Sequence, residues 1–101
     1  MPTEKDWKTF RKMMPEWQER YMDRLCKEYV KILESDQLAS DRFWKINKLV
    51  KQDEHKVGVQ AKMSRSEMLY NLIYLVREEA ITLDELDCFS EEVQEAVKIR
   101  I

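Results

Sequence analysis

Few side chains in this sequence could support nucleophilic or acid–base catalysis. The 101 residues include one histidine, His55, two cysteines, Cys26 and Cys88, and one glycine, Gly58. A Ser–His or Cys–His hydrolase needs a nucleophile held by a base and an oxyanion site, which commonly depends on glycine turns. His55 lies in the polar stretch QDEHK, where an exposed or capping histidine is expected. Neither cysteine has a basic neighbourhood that singles it out as a thiolate, so we interpret both as small buried residues and expect no catalytic site.

The sequence also lacks the patterns that bind metals or cofactors. There is no CxxC, no ExxH around His55 and no glycine-containing calcium loop. Carboxylates are abundant in the last third of the chain: Glu78, Glu79, Asp84, Glu85, Asp87, Glu91, Glu92 and Glu95. Because nothing in their spacing selects a pair or a ligand set, we interpret them as a solvated face and predict no metal and no cofactor.

A basic series on one predicted helix could bind nucleic acid. Four basic residues recur every three positions with no acid between them: Arg42, Lys45, Lys48 and Lys51. Trp44 lies among them, and an aromatic side chain beside cations suits base stacking along a phosphate backbone. The alternative is that these cations are the outer positions of an amphipathic helix whose buried stripe is Phe43, Ile46, Leu49 and Val50.

Aromatic residues crowd the first thirty positions and suggest an interface. Trp7, Phe10 and Trp17 lie there with two tyrosines and several methionines. A chain of this length has limited interior volume, and surplus Trp, Tyr and Met are enriched where proteins bind each other. We therefore name Trp7, Phe10 and Trp17 as interface candidates, with an aromatic-rich core as the alternative.

Composition indicates a folded, helical and strongly charged protein. Apolar residues make up 44% and charged residues 38%, and only one glycine and two prolines are available for tight turns. The formal net charge of −2 excludes an overall field that attracts nucleic acid or membranes. Residues 1–62 hold 14 basic and 11 acidic side chains, whereas residues 63–101 hold 4 and 9, so the halves differ in sign.

Apolar periodicity and capping signals place the helices. Spacings of three and four predict a helix over 4–14, which Thr3 and Asp6 begin as a capping box and Pro15 ends or kinks. A long second helix is predicted over 15–34 and a third over 41–54, with Ser40 or Asp41 as its N-cap.

The remaining chain predicts a connection and three further segments. Residues 55–63, around Gly58, lack any sustained period. A central helix over 64–81 begins at a Ser64/Glu67 capping box, and a short helix follows from a Thr82/Glu85 box. Ser90 caps the last helix. The fold class is therefore a single all-α domain over 1–101, a compact bundle of five or six helices.

The sequence shows no targeting or membrane signal. The start, MPTEKDWKTF, has no apolar signal run, and the longest apolar stretch, LIYLV at 72–76, is too short to cross a bilayer. With its unpaired cysteines, the chain is expected to be cytoplasmic and reduced, with no membrane partner.

Several strings resemble a family of small helical proteins from gut-dwelling Firmicutes, often encoded on mobile elements. These strings are DWKTFRKMMPEWQERYMDRL, DRFW, VGVQ, MSRSEM, ITLDEL and FSEE, and together they cover nearly the whole chain. Members often carry the label multidrug transporter, which does not suit a chain without a spanning helix. The resemblance implies a bacterial, cytosolic protein of a mobile element and carries no site residues.

These observations favour a non-enzymatic protein-binding module or adaptor that docks a larger protein, with a homo-oligomer as a further expectation. One alternative is an inhibitor of a host defence nuclease, similar in role to an anti-CRISPR protein. Another is a small nucleic-acid-binding regulator that uses the basic series.

Overall fold

The computed structural model describes residues 2–101, and every regular element in that range is helical. This confirms the all-α class. The described chain contains four α-helices and two short 3₁₀ turns, so the predicted number of five or six helices is wrong. The α-helices are α1 (Glu4–Leu33), α2 (Ala39–Asp53), α3 (Met68–Arg77) and α4 (Glu91–Lys98). The 3₁₀ turns are Arg65–Glu67 and Leu83–Leu86.

Helix α1 is a single element of 30 residues that continues through Pro15, so the predicted division into two helices is wrong. An internal proline removes one helical hydrogen bond and costs about 3 kcal/mol. Apolar side chains are nevertheless buried at spacings of three and four on both sides of the exposed Pro15: Trp7, Phe10, Met14, Trp17, Tyr21 and Leu25. Because this stripe faces one core throughout, its burial outweighs the cost of the proline.

One buried carboxylate holds the beginnings of α1 and α4 together. Asp6 completes the predicted capping box with Thr3, accepting from the Thr3 backbone N–H at 3.0 Å. The same carboxylate accepts from the backbone N–H and the hydroxyl of Ser90, both at 2.8 Å. Ser90 is the N-cap of α4, as predicted. Burial alone would raise the pKa of Asp6, but these hydrogen bonds outweigh it and hold that pKa below its ordinary value.

Helix α3 forms the centre of the core and is shorter than the predicted 64–81. Met68, Leu72 and Leu75 are fully buried, which confirms its central position. The predicted Ser64/Glu67 box does not form; the Ser64 hydroxyl pairs with that of Ser66 at 3.2 Å.

The end of α3 is set by a residue in a left-handed conformation. Glu79 has a φ of 60°. The backbone N–H of Ala80 then reaches the Leu75 carbonyl at 2.9 Å, which closes the last turn. The next segment forms the Leu83–Leu86 turn rather than an α-helix, and its predicted Thr82/Glu85 capping box is present.

The molecule is elongated and consists of two unlike parts. It measures 51 × 23 × 22 Å with a radius of gyration of 16.1 Å, against about 13 Å for a globular domain of this length. We call residues 26–53 the hairpin, made of the last turns of α1, the connection at 34–38 and α2. The remaining described residues form the head, and every buried apolar side chain belongs to it.

Polar contacts at the base of the hairpin join its two helices to each other and hold the adjacent connection. The Tyr29 hydroxyl donates to the buried Asp53 carboxylate, and Lys56 Nζ lies 3.2 Å from that carboxylate. Burial, followed by the hydrogen bond to Asp53, raises the pKa of Tyr29. The Glu78 carboxylate accepts from the backbone N–H groups of Val57 and Gly58, both at 3.0 Å. The predicted connection at 55–63 is therefore held from both sides.

Gly58 is required by close packing at this base. A Cβ atom at this position would lie 2.4 Å from Cδ2 of Tyr21, well inside van der Waals contact. The glycine thus lets the connection lie directly on the buried ring of α1.

Candidate protein-binding surface

The interface candidates named from the sequence lie in the core. The exposed fractions of Trp7, Phe10 and Trp17 are 7%, 0% and 2%. The ring of Trp7 stacks on Phe10 with centroids 6.0 Å apart, and Trp17 lies 6.3 Å from Phe89. Docking through these three side chains would require opening the head, so their assignment to an exposed surface is wrong. The chain accommodates them because α1 passes along the whole head.

Exposed apolar side chains concentrate on the hairpin instead. We call this set the hairpin patch: Val30, Leu33, Leu38, Phe43, Trp44 and Val50. Phe43 is 63% exposed and Trp44 64%, and their rings form an edge-on pair with centroids 5.1 Å apart. The 28 residues of the hairpin contain no buried apolar side chain, so these rings lie against solvent rather than in a core. Clustered exposed apolar side chains mark a candidate interaction site.

The predicted buried stripe of α2 therefore divides into two parts. Ile46 and Leu49 are half-buried, whereas Phe43 and Val50 are exposed, so their predicted burial is wrong. The helix begins at Ala39 with Leu38 as its N-cap, and neither Ser40 nor Asp41 supplies a cap. Among the helices α2 packs mainly on α1, and one neighbour covers only one face.

The patch borders a groove between α1 and α2. Near the end of the hairpin, a depression of about 260 Å³ is lined by Leu33, Phe43, Ile46, Asn47 and Val50. Towards the base, a second depression of about 180 Å³ is lined by Met22, Leu25, Cys26, Tyr29, Val50, Asp53, Glu54 and Val59. Val50 lines both depressions, whose exposed surface is largely apolar, and we call the two together the groove.

The four basic residues of α2 do not form one continuous surface. Arg42 donates from Nη1 to the Leu33 carbonyl at 2.5 Å and from Nε to the Gln37 carbonyl at 2.9 Å, so it closes the connection between α1 and α2. Residues three positions apart are rotated by about 60° on a helix, so the series winds around α2. Lys48 and Lys51 share the outward face of Trp44, and Lys45 lies beside them.

The remaining candidates for chemistry are scattered. The side chain of His55 is 76% exposed, and its Nε2 lies 3.8 Å from the Glu54 carboxylate. Cys26 and Cys88 are both exposed, so their predicted burial is wrong. Partial desolvation of its sulfur raises the pKa of Cys88, which favours the thiol over the thiolate.

Residues 2–101 contain neither a metal-binding cluster nor a membrane-spanning helix. Among these residues no group of three or more His, Cys, Asp or Glu side chains is arranged to hold a metal ion. No helix in this range is both long enough and apolar enough to span a bilayer.

Sequence reasoning missed Phe43 and Val50 as surface residues because their spacing matches that of a buried stripe. One signal was available. Counting Trp44, the apolar positions of α2 cover more than half of its circumference, which is wider than the contact that one neighbouring helix makes.

Comparisons with protein-family models, with curated proteins and with solved structures find no match to this chain.

Proposed function

We propose that this chain is a non-enzymatic protein-binding module and that its binding surface is the hairpin patch with the adjoining groove. The observation that carries the proposal is the exposure of Phe43 and Trp44 beside an apolar groove. The occupant that fits is an amphipathic helix of a partner protein, because a groove between two helices accepts a third helix through its apolar stripe.

The energetics favour a partner at this position. A partner that covers exposed apolar surface stabilises the complex by about 25 cal/mol for each Å² removed from water. Aromatic side chains are enriched among the residues that dominate binding free energy, and Phe43 and Trp44 are held on a rigid helix. The three lysines around them would form a polar rim that orients an acidic partner.

The test compares substitutions on and off the patch. Partners are captured from source cells with the tagged chain, and the affinity of a captured protein is measured by calorimetry. We expect Phe43→Glu or Trp44→Ala to weaken binding by more than tenfold, since interface anchors contribute about 2 kcal/mol or more. The matched control is Ile99→Glu, which changes a 74% exposed apolar residue of the head.

Circular dichroism separates loss of binding from loss of folding. Because Phe43 and Trp44 are exposed, both variants should keep the helicity of the parent protein. Equal binding by the parent and the Phe43→Glu variant would refute the proposed surface.

A second candidate function rests on Lys48 and Lys51 beside the exposed Trp44. Together with Lys45 they could contact a nucleic-acid backbone while the indole ring stacks on a base. Three phosphate contacts would make the logarithm of the affinity fall with the logarithm of salt at a slope of about −3. Gel shifts of the parent and of the triple Lys→Glu variant test this function. Binding that survives the triple substitution would count against it.

A further inference from the structure

We propose that α2 unfolds locally and separates from α1 while the head stays folded, and that the contact between Tyr29 and Asp53 is the latch that keeps it closed. The opening needs no bound partner and is a property of the chain itself. The groove has one wall from each of the two helices, so the latch decides whether the groove is present.

Helix α2 contributes no apolar side chain to the core. Within α2 the buried residue is Asp53, a carboxylate in the last turn. Ile46 and Leu49 are half-buried, but neither packs against the core of the head. Burial of apolar surface is the main force that holds helices together, and an isolated helix of about 15 residues is marginal in water. Little free energy therefore opposes the separation of α2 from α1.

Among residues 2–101, two hydrogen bonds join α1 to α2. At the end of the hairpin, Arg42 donates to the Leu33 carbonyl at 2.5 Å, across a short connection. At the base, the Tyr29 hydroxyl donates to the Asp53 carboxylate across 24 positions of sequence. Lys56 Nζ, 3.2 Å from that carboxylate, compensates its charge in the buried position. The latch is therefore the long-range polar contact that holds the last turn of α2 against α1.

The head holds the chain just beyond α2 and sets the boundary of the opening. The Glu78 carboxylate accepts from the backbone N–H groups of Val57 and Gly58, both at 3.0 Å. The Gln18 side-chain amide donates to the Val57 carbonyl at 3.1 Å. Since Arg42 holds the other end, α2 opens by losing its own helical hydrogen bonds rather than by swinging out as a rigid body. Local unfolding of this kind is expected where buried apolar contacts are few.

Opening would remove the surface that the closed hairpin presents. In the closed form, Phe43 and Trp44 lie on one helix beside the groove. In the open form the two walls of the groove are apart and the helix that carries both rings is lost. The fraction of closed chains therefore scales the apparent affinity of any molecule that binds the groove.

The test is hydrogen exchange of the full-length protein without a partner, followed residue by residue by NMR. Relative to their intrinsic rates, amides of α2 should exchange at least tenfold faster than those of α3. Exchange in α2 should also respond less to denaturant, because local opening exposes less surface than global unfolding. Equal protection and equal denaturant dependence in the two helices would show one cooperative unit and overturn the proposal.

Tyr29→Phe tests the latch, because it removes the hydroxyl and keeps the ring. Exchange in α2 should become about tenfold faster or more, since the buried Asp53 carboxylate loses a hydrogen bond. The matched control is Tyr70→Phe, which removes a hydroxyl that makes no hydrogen bond within residues 2–101, on a side chain that is 51% exposed. The control should leave exchange in α2 unchanged. An equally unchanged α2 in Tyr29→Phe would overturn the assignment of the latch.

Val97→Ala tests whether the head stays folded during the opening. Val97 is fully buried in α4, and the head that contains it is intact in both the closed and the open form. Its truncation should speed exchange in α3 by about tenfold or more and leave α2 unchanged. A parallel increase in α2 would mean that α2 exchanges only when the whole chain unfolds, which contradicts local opening.

Discussion

The head and the hairpin contain similar residues but use them differently. Phe10 and Phe43 both lie on amphipathic helices among apolar neighbours, yet the first is fully buried and the second is 63% exposed. In the head, side chains of α1 share one core with those of α3, α4 and Val57, whereas in the hairpin α1 has α2 as its main neighbour. The difference shows that an apolar stripe becomes a core only where enough elements cover it. Where they do not, it stays exposed to solvent.

The largest expected contrast is between the two phenylalanines. Phe10→Ala should lower the free energy of unfolding by about 4 kcal/mol, because it removes a ring from a packed core. Phe43→Ala should change that free energy by less than about 0.5 kcal/mol. Denaturant unfolding of both variants measures the contrast. A large loss in Phe43→Ala would assign that ring to a core and remove the distinction between the two regions.

The second contrast concerns acidic residues at helix beginnings. Asp6→Asn should cost about 2 kcal/mol at neutral pH, because the Asp6 carboxylate accepts charge-assisted hydrogen bonds from Thr3 and Ser90. Asp41→Asn on the exposed beginning of α2 should cost about 0.5 kcal/mol or less.

The stabilisation by Asp6 should depend on pH. Since folding lowers the pKa of Asp6, the stabilisation is fully present above the ordinary carboxyl pKa of about 4 and is lost as pH falls through the lowered value. The stability difference between the parent and Asp6→Asn should therefore shrink in acid. A difference that grows towards low pH would mean that the folded pKa is raised.

The third contrast concerns the base at which the regions join. Gly58→Ala should cost about 2 kcal/mol, because its Cβ would overlap the Tyr21 ring at 2.4 Å. In a Tyr21→Leu background the cost should fall, and the double-mutant cycle measures that coupling. Equal costs in both backgrounds would show that the ring is not the obstacle.

The smallest effect compares two helix ends. Glu79 ends α3 with a φ of 60°, which glycine adopts without steric strain, so Glu79→Gly should stabilise the protein by about 1 kcal/mol. Glu54 ends α2 with a φ of −62°, so Glu54→Gly should be neutral or destabilising. Thermal unfolding of the two variants measures both changes in stability. Stabilisation by Glu54→Gly as well would show that backbone strain is not the cause.

Most of the helical segments could be predicted from local signals. The capping pairs Thr3/Asp6 and Thr82/Glu85, the N-cap Ser90 and the aperiodic stretch around Gly58 all have local causes, and the structure confirms them. The candidate surface could not be predicted from the sequence. The aromatic surface was predicted at Trp7, Phe10 and Trp17, which are buried, whereas the exposed aromatic side chains are Phe43 and Trp44 on α2. Which stripe is covered depends on contacts distant in sequence.

The sequence by itself determined an all-helical chain, its main connection and the amphipathic character of its helices, because these follow from residue types within a few turns. The tertiary structure decided that Pro15 lies inside one helix, that Arg42 closes the connection between α1 and α2, and that Phe43 faces solvent. Each of these outcomes depends on which elements pack together and on the free energy gained by their contact. No local stretch of residues determines which elements pack together, because that free energy comes from contacts between distant segments.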